Sequence, residues 1–316
     1  MKKLLFLLLV FLPVLSVPAA AAETPEIGKL IGSYMAGHGL NGDNFSMGWY
    51  DLTSGASYYV GADVYRPGGS MYKLLLNMAV LDALAEGRLT PDTVTDGYTV
   101  EQAMLFSIVY SDNDAAQALR HALSDDRDEY RNMLARYADI PELPEGYYTD
   151  NELSPRFMIE TLRYLYEHSS EYSVLIENLK QAHPGRYFQK NNSDYPIAHK
   201  YGYFDGMLND CAIVYTPEPF LLTVFLHNVP DGETRLSELC ALLTEYTLSL
   251  DRTVPSAAPE DAVSSAPISS EVPDAAASTG DSVPPSPGSP MIGIAGITRL
   301  FLLFLLLKRP WKGARS

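Results

Sequence analysis

Three short segments of this chain combine residue types that could carry out acyl transfer. In Arg66-Pro67-Gly68-Gly69-Ser70-Met71-Tyr72-Lys73, a serine is followed three positions later by a lysine. A serine hydroxyl becomes a nucleophile only when a base takes its proton, and a lysine in a dry site can have its pKa lowered enough to act as that base. Three residues apart on a helix, the two side chains share a face. The second segment is Ser111-Asp112-Asn113, and the third is His199-Lys200-Tyr201-Gly202. Each also has an ordinary reading. Ser70 could be an N-cap with a snorkelling Lys73, and Ser, Asp and Asn are all favoured in caps and loops. A Ser-x-x-Lys match arises by chance about once in a chain of this length at average composition.

The elements that must position these residues are legible in the hydrophobic pattern. Leu74, Leu75, Leu76, Met78, Val80, Leu81 and Leu84 follow Lys73 and point in most directions of a helix. Such a helix must be buried, with Ser70 at its first turn, where free N–H groups and the positive end of the dipole favour an anion. Phe45 to Leu52 and Ser57 to Val64 read as a hairpin around Thr53-Ser54-Gly55, and Asp210 to Tyr215 and Phe220 to His227 flank Thr216-Pro217-Glu218-Pro219 in the same way. The middle is helical near Met71 to Glu86, Val100 to Phe106, Asp114 to Leu123, Glu129 to Tyr137 and Pro155 to His168, and a last helix spans Gly232 to Leu250. The expected class is α+β: an antiparallel sheet formed by both ends of the chain, flanked by helices, with an inserted mainly helical lobe. On this reading the domain begins and ends in strands, the last helix following.

Order and setting give the three segments their weight: a serine opening a buried helix, a polar tripeptide in a loop about forty residues later, and Lys-x-Gly beside a late strand. Together they resemble the S-x-x-K, S-D-N and K-T-G elements of class A β-lactamases and penicillin-binding proteins. The segment Ser154-Pro155-Arg156-Phe157-Met158-Ile159-Glu160-Thr161-Leu162-Arg163 is similar to that family's helix after its active-site loop. The resemblance implies a class A β-lactamase-like hydrolase in which Ser70 attacks an amide or β-lactam carbonyl and Lys73 accepts its proton. It further implies that Ser111 passes a proton to the leaving nitrogen, Asn113 holds a substrate amide, and Lys200 supplies charge for a substrate carboxylate. Gly202 belongs to the same substrate-binding strand, and backbone N–H groups of Ser70 and Tyr203 would bind the oxyanion.

The sequence departs from the family pattern at two points. Tyr201 stands where the family has a small hydroxyl residue, which implies a reshaped pocket or a lost contact. The loop Tyr137 to Leu153 has no E-x-x-L-N, whose glutamate in class A enzymes activates the deacylating water. Asp139, Glu142 and Glu145 are the available carboxylates; Glu142 is the choice by position, although each reads equally as a solvated loop acid. The substrate is therefore expected to be a β-lactam or a peptidoglycan stem peptide. A D,D-peptidase and a non-catalytic wall-peptide or β-lactam binding module remain as alternatives.

The flanks suggest export and tethering. Lys2, Lys3, the run Leu4 to Leu15 and the small residues Ala19 to Ala22 read as a signal peptide over 1–22, leaving a domain over 23–250. Residues 251–290 are rich in Ser, Ala, Pro, Asp and Glu, a composition expected to form a disordered stalk. Residues 291–307 read as a membrane anchor followed by a basic cytoplasmic tail over 308–316. Arg299 within it costs roughly 3 kcal/mol, against roughly 0.3–0.6 kcal/mol regained by each of the Leu and Phe residues from Leu300 to Leu307.

Between Glu23 and Pro290, sixteen basic residues face thirty-nine acidic ones, a net charge of −23. That excludes nucleic acid as an expected partner. No His or Cys falls at metal-ligand spacing, so neither metal nor cofactor is expected, and the protein is expected to be a monomer. Cys211 and Cys240 could pair in an exported protein or remain buried thiols.

Overall fold

A computed structural model describes residues 26–192 and 194–250. The signal peptide, stalk and anchor read from the sequence lie outside the described residues. In chain order the helices are α1 (Glu26–His38), α2 (Tyr72–Ala85), α3 (Val100–Val109), α4 (Asn113–Leu123), α5 (Arg127–Ala135), α6 (Glu145–Thr149), α7 (Pro155–Glu167), α8 (Ser173–Lys180) and α9 (Gly232–Ser249). The main strands are β1 (Phe45–Asp51) and β2 (Ser57–Val60), then two two-residue ladders, β3 (Arg66–Pro67) with β6 (Glu152–Leu153) and β4 (Val94–Thr95) with β5 (Tyr98–Thr99). They are followed by β7 (Ile197–Phe204), β8 (Met207–Val214) and β9 (Phe220–His227).

The five-stranded sheet has the order β2-β1-β9-β8-β7 and is antiparallel throughout. Strand β1, from the start of the domain, pairs with β9 from its end, in register from Phe45 opposite Leu226 to Asp51 opposite Phe220. The fold is therefore the expected α+β class. Side chains alternate across the sheet with the period of two that a pleated strand imposes. Phe220, Leu222, Val224 and Leu226 pack with Ile27 and Ile31 of α1 and Leu236, Leu239 and Leu243 of α9. Leu221 and Phe225 face the other way, into the core shared with α2, α3, α4, α7 and α8.

Helix α2 lies inside that second core, with Leu74, Leu75, Leu76, Met78, Ala79 and Val80 all buried, as its apolar circumference requires. Its neighbours are stopped and started by local chemistry. Thr99 and Gln102 form a capping box at the head of α3, Asp112 accepts from the Ala115 N–H to cap α4, and Ser154 caps α7 with Pro155 behind it.

Three sequence readings are corrected. The described domain opens with a helix, not a strand: Ile27, Ile31, Tyr34 and Met35 recur at helical spacing and cover one sheet face. The first hairpin's second strand ends at Val60, because Gly61 takes a positive φ of 61° and turns the chain away. Helix α8, between the seventh helix and the late strands, is additional; Leu175, Ile176 and Leu179 bury its inner face. The cysteines are both free: Cys211 belongs to the core on one side of the sheet and Cys240 to the core on the other. Among the described residues no helix is long and apolar enough to cross a membrane.

Candidate active site

Ser70 sits in a single 3-10 turn, Gly69–Met71, that runs directly into α2. Gly69 has φ of 56°, and a Cβ there would lie 2.7 Å from the backbone N of Tyr203. Across the gap, a Cβ on Gly202 would lie 2.0 Å from the Gly68 carbonyl oxygen and 3.0 Å from the Ser70 N. The nucleophile turn and strand β7 thus meet backbone to backbone, and only glycine permits it. The approach brings the main-chain N–H groups of Ser70 and Tyr203 to one place. Among the described residues the Ser70 hydroxyl has no hydrogen-bond partner, and the side chain is half-buried.

Lys73 is wholly buried, which its position in α2 imposes. Its Nζ donates to the Ser111 carbonyl at 2.7 Å and to Asn113 Oδ1 at 2.7 Å, and stands 3.5 Å from Ser111 Oγ. Ser111 takes φ of 54°, a left-handed conformation uncommon for serine, which the cap at Asp112 and the two lysines hold in place. Lys200, from β7, is also wholly buried and donates to Ser111 Oγ at 2.9 Å and to the Tyr201 carbonyl at 2.9 Å. The three segments recognised in the sequence therefore converge, two ammonium groups meeting at one hydroxyl.

Burial lowers both lysines. Lys73 falls to about 8 because burial penalises its charge, with Asp112 pulling weakly the other way. Lys200 falls to about 7 through burial first and Lys73 second, against the opposing charge of Asp210. Among the described residues neither forms an ion pair with a carboxylate. A lysine near pH 7–8 without a carboxylate partner can exchange a proton at neutral pH, the property a base beside a serine needs.

The remaining predicted residues fall in different places. Asn113 is exposed at the head of α4, with its Oδ1 on Lys73. Tyr201 meets the site with its ring: the ring stacks on Tyr187 at 4.2 Å and 10°, and Lys200 Nζ lies 4.3 Å from its centroid. Tyr203 is exposed beyond Gly202. Glu142 is exposed and makes no hydrogen bond to any of these groups among the described residues.

Several contributors were not found from the sequence. The 137–153 loop touches the nucleophile turn through Asn151, whose Nδ2 donates to the Gly69 carbonyl at 2.8 Å and whose own carbonyl accepts from the Gly68 N–H at 2.9 Å. Arg131 donates to Asn151 Oδ1 at 2.8 Å and fixes that amide. On the reverse face of β7, His199 Nδ1 lies 2.9 Å from Asp210 Oδ2, both side chains wholly buried, with the other His199 nitrogen 2.8 Å from the Ala182 carbonyl oxygen. Asp210 sits diagonally across the β7–β8 ladder from His199, a register no local motif announces.

The fold and this constellation define a serine hydrolase of the β-lactamase and transpeptidase type. A family model described as the beta-lactamase enzyme family matches residues 29–247, and the chain belongs to that family. Among solved structures it is similar to PBP-A (TM-score 0.61, 18% identity, covering 70% of this chain and 97% of that one). It is likewise similar to an ancestral class A β-lactamase, GNCA (0.60, 20%, covering 70% and 100%). A β-lactamase from Chitinophaga pinensis shows the same similarity (0.58, 17%, covering 69% and 98%). At these identities the structures establish the fold. No curated protein matches the sequence.

Proposed function

We propose that the protein is an exported hydrolase tethered to the outer face of a bacterial membrane, where Ser70 opens a β-lactam amide through an acyl-enzyme. The observation that carries this is the meeting of Lys73 and Lys200 at Ser111 beside the Ser70 turn. In this reading neutral Lys73 takes the Ser70 proton and the oxygen attacks the carbonyl carbon. The amides of Ser70 and Tyr203 stabilise the oxyanion, and Ser111 returns a proton to the departing nitrogen. Lys200, when protonated, holds the substrate carboxylate, and Asn113 and Tyr201 border the pocket. Among the described residues no carboxylate hydrogen-bonds to the Ser70 turn, and in this reading release of the acyl group is the slow step.

That same observation supports a second reading, a D,D-peptidase or penicillin-binding protein acting on wall stem peptides. In the family, a site that acylates and stalls behaves this way. Intact mass of the purified protein over time after adding penicillin separates the readings, with Ser70→Ala as control. A transient adduct with drug turnover supports the lactamase, and a long-lived Ser70 adduct supports the peptidase-like reading. Absence of any adduct with β-lactams or wall peptides would leave only a binding module. Protease treatment of intact cells should release the domain if residues 291–307 anchor it, whereas domain found free in the medium without protease would rule out the tether.

A further inference from the structure

On the flank of the nucleophile turn that faces α4 and α5 lies a cavity of about 440 Å³, lined by Tyr72, Arg120, Arg127, Tyr130, Arg131 and Asn151. Three arginines on one wall are unexpected in a domain of such acidity, and among the described residues none of the three is in an ion pair. Arg120 reaches only Gln117, Arg127 the Thr149 carbonyl, and Arg131 the Asn151 amide oxygen. The titratable neighbours that bear on Arg131 are the neutral phenols of Tyr130, Tyr147 and Tyr72 and the Arg127 guanidinium, with no carboxylate among them. Nearby acids are engaged elsewhere: Asp126 caps α5 and Glu129 accepts from Ser124.

Tyr130 completes the lining with its ring. The residue is only 4% exposed, and its hydroxyl, which has no hydrogen-bond partner among the described residues, is closed off from the cavity. Donors and positive charge on one concave wall, with tyrosine rings around them, select an acceptor with negative charge.

We propose that this cavity binds a small oxyanion, a carboxylate or phosphate group, held by Arg120, Arg127 and Arg131. The cavity borders the nucleophile turn through Asn151, but anion binding is measured directly, so its test does not depend on acylation. The full-length protein would be titrated calorimetrically with inorganic phosphate and, separately, with acetate, at constant ionic strength set by chloride. The expected result is saturable binding of one of them, retained by Ser70→Ala. The double variant Arg120→Gln/Arg127→Gln should weaken it at least about tenfold. The melting temperature of that double variant without anion should stay close to wild type, because neither arginine is in an ion pair among the described residues. Preference for phosphate assigns a phosphate ester, and preference for acetate a carboxylate; either supports the site. No saturable binding of either probe would overturn it, as would binding that survives the double variant unchanged.

Discussion

The two sides of the nucleophile turn are built differently. Toward β7, two glycine-permitted backbones touch and two buried lysines meet one hydroxyl, each amine held by two acceptors. Toward the 137–153 loop, Asn151 gives the turn one side-chain amide and one main-chain bond, beside the two-residue β3–β6 ladder that precedes the turn, while Glu142 is exposed. The packed side buries two amines where desolvation disfavours their charge, which is how their pKa values are lowered. The loop side offers the turn an amide, which can position the chain but cannot act as a base. Under the proposed function, the difference teaches that attack on a carbonyl and release of the product are separately encoded, the packed interior holding only the groups assigned to the first.

Removing the base should break the packed side most severely. Lys73→Met should slow Ser70 acylation by about 10²–10⁴, the usual contribution of a positioned base, while the fold persists because the replacement fills the same apolar space. Acylation within tenfold of wild type in a rapid-mix mass measurement would remove Lys73 from that role. Next is Gly202→Ala. Its Cβ would meet the Gly68 carbonyl oxygen at 2.0 Å, and backbone on both sides must move. A loss of about 2–4 kcal/mol in denaturant unfolding is expected, together with slower acylation, in the range of other backbone and overpacking defects.

The pH dependence comes third. Lysine is neutral above its pKa, so Lys73, at about 8, becomes a base as pH rises, and Lys200, at about 7, loses the charge that holds a carboxylate over nearly the same interval. Acylation by a carboxylate-bearing β-lactam should therefore follow a bell centred between about 7 and 8, its flanks belonging to the coupled pair. A β-lactam ester without the carboxylate should keep the rising limb and lose the falling one. The smallest effect belongs to the loop: Glu142→Gln should change adduct lifetime less than twofold. A lifetime ten times longer would make Glu142 the base for release and erase the contrast between the two sides.

The same division separates what could be read in advance from what could not. Features set by neighbours a few positions apart were legible in the sequence: the buried helix after Ser70, the Asp112 cap with Ser111 before it, the alternation of β9, the helix after Ser154. Each depends on periodicity or capping chemistry that acts locally. Helix α1 was not read because its apolar stripe is short and borders a segment read as signal peptide. Only the tertiary structure decided that Lys200 would meet Ser111, eighty-nine residues away, and that Tyr201 would present its ring. It also decided that Asn151 would be the loop's contact with the nucleophile turn and that Glu142 would stay in water. Burial, pKa and the register of a diagonal pair such as His199 and Asp210 depend on what the rest of the chain packs against a residue, so residue type and spacing nominate the groups while packing determines their chemistry.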